Sequence, residues 1–294
     1  MEISSEIVHT PVRDAATVII LRDSPGGLEV FLVKRHGLSD VLGGAYVFPG
    51  GKLDDSDLQL AEIAHLDQDS VTLHGALAEP DLPMDVARGL YVAALREAFE
   101  ECGVLFAQDA AQHHSVQLAQ AIQEGRAFNQ VLMELQLRLQ TSALTPWSRW
   151  VTPRQASLMN KRFDTRFFLA AMPITQQAVH DDHETTHSEW MTPRDALTRY
   201  WAREFAMAPP QIMSLVQLAR HSNVDSALME ASMRLPPIIE PEPFDENGMR
   251  VICYPGDERH SNPCAAIPGP TRLMFRNKRF EPSSGTLDEL LANC

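Results

Sequence analysis

The chain is short of cations for its acids: 25 Lys and Arg stand against 39 Asp and Glu, a net charge of −14. That balance excludes a nucleic-acid backbone as partner, because such binding needs clustered Lys and Arg to displace counterions. Long apolar runs are missing as well. Nothing approaches the roughly 20 consecutive apolar residues of a membrane-spanning helix, so no membrane partner is expected. Cysteine is scarce, and Cys102, Cys253, Cys264 and Cys294 show no C-x-x-C spacing; free thiols suit a reducing compartment. No basic region followed by an apolar run opens "MEISSEIVHTPVRD", and "LANC" is no recognised address, so the cytoplasm is the expected location. Internal repeats and heptad arrays are absent, which excludes solenoids and coiled coils. What is there, 294 residues with 44% hydrophobic and 22% charged side chains, is enough to bury a sizeable core in one domain with additions.

One stretch stands out against this ordinary background. "REAFEECGV", residues 96–104, sets Glu97, Glu100 and Glu101 within five positions beside Arg96. On a helix, residues three and four apart share a face, so these carboxylates gather on one side. Tyr91, Val92, Leu95, Ala98, Phe99 and Cys102 gather on the other, which reads as core. A helix pinned by an apolar face and presenting clustered carboxylates is a rigid mount for a hard cation, which prefers oxygen ligands. The helix is expected to start near Pro83 to Asp85 and to stop at Gly103.

Around it, "AATVIIL" (15–21) and "EVFLVKR" (29–35) read as two strands joined across "RDSPGGL", a hairpin. "AYVFPGG" adds a third short strand ending at Gly50 and Gly51, glycines that permit close approach of a ligand. "LQLAEIAHL" and "TLHGALAEPDLP" read as a helix followed by a loop, and residues 111–140 as one or two helices. Strand-like "SRWVT", "RFFLAAM" and "SEWMT" follow, then helices from Pro193, from Pro210 to Arg220 and from Val224 to Arg234. From Leu235 the chain becomes rich in proline, acid and turn residues, with a strand expected within "TRLMFRNKRF". The mixture argues an α/β or α+β sandwich with helices on both sides of a mixed sheet.

"GGKLDDSD" together with "REAFEECGV" resembles the box of the Nudix hydrolase superfamily. The usual box has an acid six residues after a glycine and seven more residues before the arginine. Here Asp57 holds the first spacing from Gly51, but 38 residues lie between Asp57 and Arg96, so about thirty-one are inserted. Such an insertion is thermodynamically cheap, since loop closure costs only the logarithm of length. The split box, with "VFLVKRH", "AYVFPGG", "TPWSRWVTP", "KRFDTRFFL", "EWMTPRDAL" and "YPGD", is similar to the branch that includes the peroxisomal coenzyme A diphosphatases. The resemblance implies an α/β/α sandwich of the Nudix type over residues 1–235, with the insertion at about 58–82 and a C-terminal extension, 236–294, packing back on the domain.

The same resemblance implies Mg²⁺ or Mn²⁺ held by Glu97, Glu100 and Glu101, with Arg96 orienting the carboxylates and Gly51 shaping the loop against the helix. The substrate would be a small nucleoside diphosphate joined to another group, coenzyme A or an acyl-CoA first, with ADP-ribose or NADH as the alternative and a non-catalytic nucleotide sensor as a third reading. A general base is expected from the glutamates themselves or from "HDDHETTHSEW", where Glu184 is the candidate. Lys34, Arg35, Arg162 and Arg166, with Gly50 and Gly51, are candidate substrate contacts, because the guanidinium fork suits phosphate. The arginines at 162 and 166 could equally pair with Asp164. His180, His183 and His187 lie among acids and lack a metalloprotease pattern. A homodimer is left open.

Overall fold

The structure is a computed structural model that describes residues 10–37, 43–62, 65–108, 112–155, 161–180 and 185–292. The chain opens on a hairpin of β1 (Arg13–Ser24) and β2 (Gly27–Arg35), followed by β3 (Tyr46–Val47), β4 (Gly50–Lys52), α1 (Asp55–Glu62), α2 (Ser70–Leu77) and α3 (Met84–Cys102). Next come β5 (Ala107–Gln108), α4 (Gln112–Gln123), α5 (Phe128–Glu134), β6 (Arg138–Leu139), β7 (Thr145–Val151), β8 (Phe163–Ala171) and β9 (Thr185–Met191). Three helices follow, α6 (Pro193–Trp201), α7 (Pro209–Leu218) and α8 (Val224–Ser232). The last elements are β10 (Ile238–Ile239), β11 (Glu242–Glu246), β12 (Met249–Cys253), β13 (Arg272–Arg276), β14 (Arg279–Glu281) and α9 (Leu287–Leu291).

The main sheet is mixed, in the order β10-β7-β8-β1-β2-β3, with β4 also on β1 and β9 also on β2. β1 lies parallel to β8 and antiparallel to β2 and β4. Because side chains alternate along a strand, β1 feeds two cores. Ala16, Val18 and Ile20 face α2, α3 and α5, whereas Ile19 and Leu21 face α6, α7 and α8. A run buried on both faces explains why residues 15–21 are apolar at every position but Thr17 rather than alternating. This is the expected sandwich with helices on both sides of the sheet.

The carboxylate helix forms where the sequence places it. Gly103 takes the left-handed conformation (φ 69°) and its N–H closes onto Phe99 O at 2.7 Å, the stop that only glycine makes without strain. All six expected core residues of α3 are buried, together with Leu90, Ala93 and Ala94, so the helix is enclosed on more than one side. Part of that enclosure comes from the insertion. Leu58 of α1 lies so near Gly89 that a Cβ there would meet its Cδ2 at 2.7 Å.

Two stretches differ from expectation. "TLHGAL" is not loop but most of α2, capped by Asp69, whose carboxylate accepts from Thr72 N at 2.9 Å; Leu73 and Leu77 then anchor it in the core. The C-terminal region is not mainly turn: β11 to β14 form a four-stranded antiparallel sheet. Its hairpins turn on Asn247–Gly248 (φ 52° and 76°) and Asn277–Lys278 (φ 52° and 62°), positive-φ pairs that match strand twist. Tyr254, Leu273, Phe280 and Leu290 from this region share the apolar layer of α6 and α7.

Candidate active site

Where α3 passes the β4 glycines, backbone and carboxylates come into contact. Gly50 sits so close to β1 that a Cβ would lie 2.5 Å from Ala16 O, and at Gly51 it would lie 2.2 Å from Glu97 Oε1. Only glycine fits at Gly50, and at Gly51 any larger residue must push the Glu97 carboxylate aside. Glu101 Oε2 accepts a hydrogen bond from Gly50 N at 3.1 Å. The two glycines therefore draw the loop onto the carboxylate face of α3.

Arg96 organises that face from beneath. Its Nε donates to Asp57 Oδ1 at 2.8 Å and its Nη2 to Asp57 Oδ2 at 3.0 Å and to Lys52 O at 3.2 Å. Its Nη1 donates to Glu97 Oε1 and to Glu100 Oε2, both at 2.8 Å. All five guanidinium hydrogens are thus engaged, which no lysine could match. Burial opposes the charge, but the hydrogen bonds that Arg96 donates to Asp57 and the charges of Glu97, Asp57 and Glu100 outweigh it and hold the Arg96 pKa above its ordinary value. Asp57, 39 residues away in sequence, is 1% exposed and also accepts from Asp54 N at 2.9 Å. The insertion leaves this pairing intact because the chain that leaves after Asp57 returns along α3.

The three glutamates share one wall of a cavity of about 500 Å³, but they do not converge on a single point. Glu97 and Glu100 face Arg96 while Glu101 faces Gly50 N, and among the described residues no three acidic, histidine or cysteine side chains form a preformed cation cluster. The donor set still fits a hard divalent ion: the oxygens are carboxylate, two of them bond one nitrogen and so lie side by side, and Mg²⁺ needs only one or two protein carboxylates alongside water and substrate.

Of the expected substrate contacts, Arg35, Gly50 and Gly51 line the cavity, joined by Arg13, Lys52 and Lys161. Lys34 lies outside its lining, on β2 between Tyr46 and His187. Arg162 donates to Thr152 O at 3.0 Å. Arg166 is buried and committed to carboxylates: Nε and Nη2 meet Glu79 at 3.0 and 2.6 Å, and Nη1 meets Asp14. Burial works against its charge, yet Glu79, Asp164 and Asp14 raise its pKa. Arg149 completes the group, bonding Asp164 at 2.8 and 2.6 Å and Glu79 at 2.8 Å. This network ties the end of the α2 segment to β1, β7 and β8, on the sheet face opposite the cavity-lining Ala15, Thr17, Phe163 and Thr165. Glu184 and His183 lie outside the described residues; His180 bonds Ser188 Oγ at 3.0 Å and His187 stands 3.7 Å from Glu189. Asp57 was legible as the acid six after Gly51, whereas Arg13 and Lys161 carry no local signal and are brought in by strand pairing.

A glycine loop clasped to a helix that carries Arg96, Glu97, Glu100 and Glu101 is the Nudix arrangement, and the chain belongs to that family: the NUDT19 Nudix domain matches residues 68–218, just over half of it. The protein is a Nudix hydrolase. Among named relatives, it is 27% identical to acyl-coenzyme A diphosphatase NUDT19 of Xenopus laevis, across 78% of this chain and 70% of that protein. The human protein of that name is also 27% identical, over 79% and 72% of the two chains. A NUDIX hydrolase from Alicyclobacillus acidocaldarius superimposes with a TM-score of 0.60 at 26% identity, covering 78% of this chain and 98% of that one. No helix among the described residues is long and apolar enough to cross a membrane.

Proposed function

We propose that this enzyme cleaves the diphosphate of coenzyme A or an acyl-CoA, with a divalent cation, Mg²⁺ or Mn²⁺, held by Glu97, Glu100 and Glu101. The observation that carries the reading is the single cavity in which the Arg96-ordered carboxylates meet the Gly50–Gly51 backbone and four cationic side chains. The acyl-CoA diphosphatases among its relatives supply the substrate class.

Arg96 fixes Glu97 and Glu100 so that their charge is presented to the cavity without rotamer loss at binding. Gly50 and Gly51, lacking side chains, let a diphosphate approach the backbone and the carboxylates together. The ion, when bound, would neutralise phosphate oxygens and acidify water for in-line attack at phosphorus. Arg35 and Lys52 would draw phosphate oxygens toward the β4 loop. Glu184 remains our candidate for the base: Thr185, the next residue in the chain, pairs with the cavity residue Arg35.

The experiment is direct. Pure protein incubated with CoA and Mg²⁺ should release adenosine 3',5'-bisphosphate and 4'-phosphopantetheine. ADP-ribose, NADH and acyl-CoA thioesters are run in parallel. Turnover of ADP-ribose or NADH with none of CoA or any acyl-CoA would replace the substrate and keep the chemistry; binding without turnover of any of them would make the protein a sensor.

A further inference from the structure

The cavity floor is tiled by three adjacent strands, β4, β1 and β8, and their registers fix what stands beside what. Gly50 pairs with Thr17 and Lys52 with Ala15; across β1, Ala15 pairs with Thr165 and Arg13 with Phe163. Arg13, Ala15 and Thr17 share one face of β1, and Phe163 and Thr165 share the same face of β8. The middle of this floor is made of small residues. Its far corner holds an aromatic ring with two cations, Arg13 beside Phe163 and Lys161 two residues before it, all lining the cavity. Neighbouring strands are about 4.8 Å apart and successive residues about 3.3 Å, so Phe163, two strands across and three to four residues along from the Gly50–Gly51 register, is on the order of 15 Å from the glycines that clasp the catalytic carboxylates.

The corner is too far from the carboxylates to serve the scissile diphosphate, and it has its own positive charge. The Arg13 guanidinium is exposed and has no hydrogen-bond or ion-pair partner among the described residues. The reaction proposed above gives Arg35 and Lys52 a part at the diphosphate and gives Arg13, Lys161 and Phe163 none. A flat apolar face offers stacking to any base, while two cations offer a second anion site separate from the diphosphate.

We infer that Phe163, Arg13 and Lys161 form a subsite for a nucleoside that bears a phosphomonoester in addition to its diphosphate, with the base against Phe163 and the extra phosphate held by Arg13 and Lys161. The inference rests on the proposed function for the place of the diphosphate and deepens it by naming the feature of the substrate that these residues select. Arg13 and Lys161 are specificity residues that touch the nucleoside end and leave the chemistry to α3.

The test uses binding rather than turnover. The full chain is titrated calorimetrically, in Mg²⁺, with adenosine 3',5'-bisphosphate and with adenosine 5'-monophosphate. The bisphosphate should bind about tenfold or more tightly, the scale of a charge-assisted contact. Arg13→Ala and Lys161→Ala should each shrink that ratio toward one, and Arg13→Glu should bring it below one. Phe163→Leu should weaken both nucleotides about equally, by roughly tenfold. Equal affinities in the wild type, no measurable binding of either nucleotide, or a ratio unchanged in the Arg13 and Lys161 variants would overturn the inference. Its failure is distinct from failure of the proposed function: a protein that hydrolyses CoA without preferring the bisphosphate loses the subsite alone, and one that shows the preference without hydrolysing CoA loses the reaction alone.

Discussion

Replacing Arg96 by Met removes five hydrogen-bond donors but keeps a chain of similar length on the buried side of α3. Asp57, 1% exposed, is left with Asp54 N as its remaining donor among the partners described above, and Glu97, 12% exposed, loses its cation. Breaking a buried pair by removing one partner costs about 3–5 kcal/mol. Unfolding entropy near 2.1 cal/mol/K per residue gives about 0.6 kcal/mol per degree for a chain of this length. The melting temperature should therefore fall by about 5–8 °C, and metal-dependent turnover should fall by orders of magnitude. Melting followed by circular dichroism at fixed protein concentration, without and with Mg²⁺, supplies the number. The double substitution Asp57→Asn with Arg96→Met should recover part of the lost stability, because the orphaned charge goes with it, but none of the activity. A loss under about 2 °C with turnover intact would refute the claim that Arg96 holds the site together; the same loss in single and double variants would refute the pairing with Asp57.

Gly51→Ala places a Cβ 2.2 Å from Glu97 Oε1; the carboxylate can swing away, so the melting temperature should change little while turnover drops at least about tenfold, the scale of a misplaced catalytic group. A variant with unchanged turnover would show that Glu97 need not stay beside the loop. In the C-terminal sheet, burial pushes the Asp257 carboxyl up, but the Arg272 guanidinium, Arg259 N–H and Thr271 hydroxyl outweigh it and hold it below its ordinary value of 3.8. A depressed carboxyl gives stability that is present above the unfolded value and is lost as pH falls through the folded one. Urea unfolding between about pH 6 and pH 3 should show this loss below about pH 4, and Asp257→Asn should be less stable at pH 6 and flatter below pH 4; an identical slope in both proteins would remove Asp257 from the acid transition.

Local signals were the readable ones. α3 is written in its own residues: the apolar face, the carboxylates and Gly103 all lie within one helix, and each expected core residue is buried. β1 and β2 were equally plain, since an apolar run and a Pro-Gly turn are complete within twenty residues. α2 was missed because "TLHGALAEPDLP" mixes its helix with two prolines, although Asp69 and Thr72 held the capping signal. Of the sheet β11 to β14, the strand expected within "TRLMFRNKRF" is β13; β11 and β12 escape the reading because proline and acid mask alternation on an edge, although Asn247–Gly248 is a hairpin turn signal. Site residues divide the same way. Those on α3 and in the glycine loop could be named from spacing, and the arginine at 35 follows from the strand it ends. Arg13 and Lys161 reach the cavity only because β1 and β8 pair in parallel, a long-range register that no local pattern encodes. The sequence leaves Arg166 equally a phosphate contact or the partner of an acid, and Glu79, from the insertion, decides for the acid.

The account stands on the carboxylate wall of α3 holding a divalent ion. The most direct measurement is Mn²⁺ titration followed by electron paramagnetic resonance, comparing the wild type with Glu97→Gln, Glu100→Gln and Glu101→Gln. The wild type should quench the free Mn²⁺ signal saturably, and each substitution should weaken that binding while its circular-dichroism spectrum stays that of the folded chain. Equal Mn²⁺ affinity in all four proteins would contradict the account.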